Sequence, residues 1–123
     1  MANHPILALL AEIAQLTQSQ RDLKALIEGL STAIVSSSSR AAPTAVQLSN
    51  LRTFVTQISD EQVILSGQTD DRMERAECLH KDDLRWFGAQ VGAAAELLWD
   101  TNLELEETVD GLDTLVTTLE SLL

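Results

Sequence analysis

An apolar stripe with heptad spacing runs through the first third of the chain and constrains its fold more than any other feature. Its members recur at alternating separations of three and four residues, which places them on one face of an α-helix. They are Ile6, Leu9, Ile13, Leu16, Gln20, Leu23, Ile27, Leu30 and Ile34. The stripe predicts a long helix over about residues 4–35, with Asn3 or His4 as its cap and Pro5 in the first turn.

The rest of the chain also has helical periodicity. A serine-rich linker is predicted at 36–43, a second helix at about 44–66, and a break at Ser66-Gly67-Gln68. A further heptad series predicts a helix or helices over about 69–122, and we expect one continuous helix. Aromatic residues make up only 3% of the chain, which disfavours sheets. The prediction is an all-α helical bundle of three to four amphipathic helices in a single domain, 1–123.

The heptad stripe of the first helix allows two interpretations. It can be the seam of a homo-oligomer, with Gln20 as the polar a residue that fixes the register. It can equally be the buried face of a core helix within one chain, because antiparallel bundles use the same spacing. Long apolar stripes on slender helices are difficult for one small chain to cover. We therefore expect an oligomer, a dimer before any other state.

Net charge limits the partners that the chain can bind. The 123 residues include 19 acidic and 8 basic side chains, for a formal charge of −11 at pH 7. Nucleic acid and anionic membrane surfaces attract basic proteins, so direct binding to either is not expected. Residues 62–123 carry fourteen acids against four Lys or Arg, and no Lys or Arg follows Arg85. This asymmetry favours a basic protein partner, or no partner at all.

Acidic residues of the last helix are expected to form one stripe opposite its apolar face. At about 100° per residue, they fall on one side of the helix. They are Glu96, Asp100, Glu104, Glu107 and Asp110. Leu103 lies inside this acidic stripe and Trp99 on its flank, a pattern typical of a binding surface. The alternatives are that the acids are merely solvated, or that Arg72, Arg75, Lys81 and Arg85 pair with them.

The chain shows no signal for export or for a membrane span. Its N-terminus lacks a basic region, and no apolar run approaches the ~20 residues that a spanning helix needs. Its one cysteine, Cys78, cannot form a disulfide within the chain, and we expect it to be partly buried and inert. Cytoplasmic residence is the expectation, with a signal-less secretion route left open.

Catalytic and metal-binding motifs are sparse. Glu77 and His80 form a Glu-x-x-His pair, which is half of a ferritin-like di-iron site. The complete site needs a second pair, and the only other histidine is His4. No nucleophile motif, glycine-rich phosphate loop or CxxC occurs. We expect no enzymatic activity, no cofactor and no bound metal.

Small residues are concentrated near the start of the last heptad series. They are Gly88, Ala89, Gly92, Ala93, Ala94 and Ala95. Such a surface lets a second backbone approach closely. We interpret it as a tight helix crossing within the fold, in preference to a dimer contact.

Trp86-Phe87-Gly88 is a Trp-x-Gly tripeptide. In a small helical protein this motif resembles the WXG100 family of secreted helical hairpins, and the resemblance covers three residues. In that family the motif lies at the turn of the hairpin, and a Tyr-containing signal follows the second helix. Here the heptad series passes through the motif, and the chain has no Tyr. The resemblance implies a secreted or structural helical assembly subunit.

Three functions remain from the sequence. The first is a noncatalytic interaction protein (adaptor, chaperone or regulator) that binds a protein partner through helix faces. The second is an acidic inhibitor, such as a mobile-element or anti-defence protein, that mimics the charge of nucleic acid. The third is the WXG-like assembly subunit. The first is the prediction, because helix faces and the acidic stripe are the strongest features.

Overall fold

The chain folds into three long helices, and no strand occurs among the residues that the structure describes. The computed structural model describes residues 5–38, 43–78 and 81–122, and for residues 5, 38 and 81–89 only the backbone. Helix α1 spans Pro5–Ser38, α2 spans Ala45–Glu77 and α3 spans Lys81–Ser121. Each helix packs against the other two. The predicted all-α helical bundle is confirmed, with three helices.

The helices alternate in direction along the bundle. Near the start of α1, Glu12 bonds to Arg75 at the end of α2, and near the end of α1, Gly29 lies beside Phe54 in the first half of α2. Contacts between α2 and α3 show the same reversal, since early residues of one meet late residues of the other. Helices α1 and α3 therefore run parallel, and α2 runs antiparallel to both.

The start of α2 is defined by a reciprocal cap. The backbone N–H of Gln47 donates to Thr44 Oγ1 (3.1 Å), and the backbone N–H of Thr44 donates to Gln47 Oε1 (2.8 Å). This capping box satisfies two N–H groups that have no partner within the helix. The predicted start near Thr44 is confirmed.

The predicted break at Ser66-Gly67-Gln68 is wrong, because α2 continues through it to Glu77. Two polar side chains at this segment form hydrogen bonds within the bundle. Thr69 Oγ1 donates to the Leu65 carbonyl (2.9 Å), and Ser66 Oγ accepts from Asn102 Nδ2 (3.2 Å). Continued burial of Leu65 and Thr69 outweighs the cost of a glycine in the helix.

The expected continuous helix over 69–122 is also wrong. This stretch contains the end of α2 and the start of α3, with a connection between them. The chain leaves α2 at Cys78, and α3 begins at Lys81. At the other connection, α1 extends three residues beyond the expected boundary at 35, to Ser38. Residues 39–42 of the expected linker lie outside the described part of the chain.

The heptad stripe of α1 lies in the interior of a single chain. All nine of its residues, from Ile6 to Ile34, are at most 5% exposed. They form one core with buried residues of α2 and α3, such as Ile58 and Leu98. The stripe that was interpreted as an oligomer seam is thus covered by α2 and α3 of the same chain. Heptad spacing cannot distinguish a covering helix of the same chain from one of another copy. The oligomeric state stays a prediction, and this stripe no longer supports it.

Four polar residues interrupt the core in the described part of the chain: Gln20, Gln62, Thr69 and Asn102. Gln20 Nε2 donates to the Leu98 carbonyl at 2.8 Å, so this side chain links α1 to α3 within the chain. Two of these four residues have a buried side-chain atom without a hydrogen-bond partner among the described residues, Gln62 at Nε2 and Asn102 at Oδ1. Such atoms cost stability, because burial removes their bonds to water.

Ion pairs connect the helices at both ends of the bundle. Arg75 Nη2 lies 2.7 Å from Glu12 Oε2, joining α2 to α1. The hydrogen bond from Arg75 is the main cause of a lowered pKa of the Glu12 carboxyl. Burial opposes this effect, and the charges of Arg75 and Arg72 lower the pKa further. A lowered pKa means that the folded chain favours the ionised Glu12 carboxylate. The pair of Glu12 and Arg75 therefore stabilises the fold at neutral pH. That contribution is lost as the pH falls through the lowered value.

Arg52 makes the corresponding link between α2 and α3. It bonds to Asp113, to Thr117 Oγ1 at 2.8 Å and to Glu120 Oε1 at 2.6 Å. Hydrogen bonds to Glu120 and Asp113 raise the pKa of Arg52, which keeps it cationic. Arg52→Met should lower the free energy of unfolding by about 1 kcal/mol at low salt, and by less in concentrated salt, since the partners are partly solvated.

Chemical denaturation at two salt concentrations measures this effect. Arg21→Met is the matched control, because exposed Arg21 reaches only Gln18 Oε1, at 3.5 Å, among the described side chains. Equal losses for the two variants, or a loss at Arg52 that salt does not change, would show that the Arg52 contacts are not electrostatic links.

Within the described residues, none of the three helices is both long and apolar enough to cross a bilayer.

Candidate partner-binding surface

The acidic stripe of α3 lies on the solvent side of the helix. All five carboxylate residues, Glu96, Asp100, Glu104, Glu107 and Asp110, are exposed. The opposite side of the helix is buried against α1 and α2. Counting angles along the sequence placed these residues correctly, because α3 is helical throughout the segment.

None of the five carboxylates forms an ion pair with a described residue. Arg72 and Arg75 point to the opposite edge of α2, where both bind Glu12 of α1. Arg52 is held by Asp113 and Glu120, outside the stripe. The suggested neutralisation by Arg72 and Arg75 therefore does not occur, and the side chains of Lys81 and Arg85 lie outside the described residues.

The two apolar side chains that the sequence assigned to this surface are exposed. Trp99 is 37% exposed and Leu103 is 43% exposed, one turn apart on α3. Exposed aromatic and aliphatic side chains within a charged rim are typical of the centre of protein interfaces. The structure thus brings together all seven residues that the sequence assigned to partner binding.

An open groove between the end of α2 and the first half of α3 adjoins the stripe, and the sequence did not predict it. Its volume is about 390 Å³. It is lined by Met73, Ala76, Glu77, Val91, Gly92, Ala95, Glu96 and Trp99. Trp99 and Glu96 belong to both features, so groove and stripe form one continuous surface.

The small residues of α3 help to shape this groove. A Cβ built on Gly92 would meet no described atom of α1 or α2 within 4 Å, so neither of these helices packs closely against it. The expected tight helix crossing is therefore wrong at Gly92, whose lack of a side chain leaves open space. Ala95 is buried on the groove floor, and Gly88 and Ala89 lie outside the residues with described side chains.

The other candidate positions contribute little to this surface. Cys78 is exposed at the end of α2, so its expected partial burial is wrong. His80 of the Glu-x-x-His pair lies outside the described residues. Where side chains are described, no three His, Cys, Asp or Glu residues come together as a metal site requires. Trp86, Phe87 and Gly88 belong to the helical backbone of α3 and not to a turn between helices.

Fold and surface define a three-helix, all-α protein with an exposed acidic and apolar face. Comparison with known proteins gave no match: no family model fits the sequence, and no curated protein or solved structure is significantly similar to it.

Proposed function

We propose that this chain is a noncatalytic helical interaction protein, an adaptor, chaperone or regulator, that binds a basic protein partner through the acidic stripe of α3. One observation supports this above all others. The five exposed carboxylates have no ion-pair partner among the described residues, and the exposed Leu103 lies among them with the exposed Trp99 on their flank. Cytoplasmic residence remains part of the proposal.

Electrostatics favours a partner of opposite charge. Successive carboxylates of the stripe are separated by four, four, three and three residues. At these spacings like charges repel by roughly 0.2–0.5 kcal/mol per pair, or about 1–2 kcal/mol along the stripe at low salt. Lys or Arg side chains of a partner would relieve this repulsion on binding. They would also be steered to the surface by its field, which raises the association rate.

Apolar contact then supplies specificity that charge alone lacks. Burial of Trp99 and Leu103 would remove apolar surface from water at about 25 cal/mol per Å². A large aromatic side chain at the centre of a contact is typical of residues that dominate binding energy. The proposed contact therefore has an apolar centre and a charged rim.

Neutralising the stripe tests this proposal. The variant Glu104→Gln, Glu107→Gln, Asp110→Asn should bind the partner, captured from the source cell, about tenfold or more weakly at low salt. Its affinity should also depend less on salt, because fewer charges take part. Its melting temperature should stay level or rise, since repulsion is relieved. Titration calorimetry and thermal unfolding give these quantities.

A control variant changes the same number of charges elsewhere. Asp22→Asn, Asp60→Asn, Glu61→Gln removes three exposed acids from α1 and α2. It should bind as the wild type does. Equal binding by both variants, or a large loss of stability in the stripe variant, would contradict the proposal. Release of the partner by competing nucleic acid would instead support a charge-mimicking inhibitor.

A further inference from the structure

We propose that the groove between α2 and α3 receives the apolar face of a basic amphipathic helix, which packs there as a fourth helix of the bundle. This inference rests on the proposed function and names the kind of partner segment that the surface accepts. Three features support it: the shape of the groove, the acidic residues along its edge, and the helical backbone on both sides, whose N–H and C=O groups already bond to each other.

The groove offers apolar surface in the form that a helix needs. Met73 and Ala76 of α2 face Val91, Ala95 and Trp99 of α3 across it. Met73 and Ala76 are half-buried, and Trp99 is more than a third exposed. The space over Gly92 is empty, so a side chain from outside can enter there. An apolar row at helical spacing would fit along such a groove, since helices pack ridges into grooves.

Charge complementarity identifies the other face of the occupant. Both ionisable residues that line the groove, Glu77 and Glu96, are acidic and exposed. From Glu96 the acidic stripe continues along α3 to Asp110, beside the exposed Leu103. A helix with its apolar row in the groove would therefore place flanking Lys or Arg side chains next to carboxylates.

The backbone of the groove favours a helix over an extended peptide. Both walls are interior segments of α-helices, in which the backbone N–H and C=O groups bond to each other. No strand edge is present in the walls, so an extended peptide would gain no main-chain hydrogen bonds. A helical occupant satisfies its own backbone groups and needs only side-chain contacts.

A second copy of this chain is a poor occupant. Two copies would each bring a net charge of −11, and contact at this face would oppose acids with acids. The most regular apolar face that a copy could offer, the heptad stripe of α1, is already buried in its own core. The occupant is therefore a helix of a different, basic protein.

Two synthetic peptides and one substitution test the inference. The first peptide, about four helical turns long, carries Leu on one face and Lys on the other. The second is a scrambled isomer whose Leu residues are spread around the helix. In the full chain, Gly92→Leu fills the groove and should not impair folding, because the site is open and Leu forms helix better than Gly. Gly29→Leu is the matched control, an exposed glycine on α1 with only an ordinary contact to Phe54.

Fluorescence anisotropy of labelled peptides measures the affinities. Wild-type chain and Gly29→Leu should bind the amphipathic peptide about tenfold or more tightly than the scrambled peptide. Gly92→Leu should lose this preference and retain only the salt-sensitive binding that both peptides share. Thermal unfolding should show both variants to be folded.

The possible failures have distinct results. If Gly92→Leu keeps the wild-type preference while the stripe variant loses binding, the groove inference is wrong and the proposed function stands. If Gly92→Leu loses the preference while the variant Glu104→Gln, Glu107→Gln, Asp110→Asn binds both peptides as the wild type does, the proposed function fails and binding in the groove stands. Light scattering that shows a dimer abolished by Gly92→Leu would identify the occupant as a second copy and overturn the inference.

Discussion

Leu98→Ala lowers the free energy of unfolding by about 2–5 kcal/mol, the range for truncating a fully buried leucine. Leu98 is 1% exposed and lies in the core where α3 meets α1. Truncation removes the transfer free energy of three carbons and leaves a cavity that long, straight helices cannot easily close. Its carbonyl accepts a hydrogen bond from Gln20 Nε2, so movement of α3 to fill the cavity would strain this bond as well.

The adjacent residue provides the control. Leu97 is 63% exposed, and Leu97→Ala should cost less than about 1 kcal/mol, since little apolar surface is returned to water. Urea denaturation of the two variants measures the difference. Equal losses would contradict the placement of Leu98 in the core and the orientation of α3.

Gln62→Met raises the free energy of unfolding by about 1–3 kcal/mol, an unusual direction for a core substitution. Gln62 is 6% exposed, and its Nε2 is buried without a hydrogen-bond partner among the described residues. Methionine has nearly the same length and volume, so the exchange removes an unsatisfied donor without opening a cavity.

Gln57→Met serves as the control for helix propensity, because Gln57 is exposed on the same helix. It should change stability by less than about 0.5 kcal/mol. A destabilised Gln62→Met variant would show that the amide has a partner that stabilises the fold. If the substitution stabilises as expected, Gln62 costs stability, which is the pattern expected where a buried polar residue restricts how the helices pair.

Much of the fold could be predicted because periodicity is a local property. The stripe from Ile6 to Ile34 predicts α1 by spacing alone, and the end of the serine-rich linker predicts the start of α2 near Thr44. The predicted break at Ser66-Gly67-Gln68 is wrong because residues that favour turns can remain helical when burial of their neighbours stabilises the helix. Asn102 and Ser66 meet only in the folded chain, and the sequence gives no sign of this contact.

The part of the surface that lies on a single helix could be predicted from the sequence, and the part formed between two helices could not. All members of the acidic stripe belong to α3, so angles counted along the sequence place them correctly. The groove requires Met73 of α2 to lie opposite Val91 of α3, and this register depends on where the chain turns between them. The assignment of the α1 stripe to an oligomer seam failed for a similar reason. Spacing identifies a buried face, but not whether the covering helix belongs to the same chain.

Site-specific photo-crosslinking in the source cell tests the central claim most directly. A photoreactive amino acid at Leu103, inside the acidic stripe, is compared with one at Val46, which is 70% exposed at the start of α2. We predict that Leu103 crosslinks to a different protein of net positive charge, that Val46 does not, and that the product disappears in the Glu104→Gln, Glu107→Gln, Asp110→Asn variant. Crosslinks from Leu103 only to another copy of the chain, or the same products from both positions, would contradict partner binding by the acidic stripe.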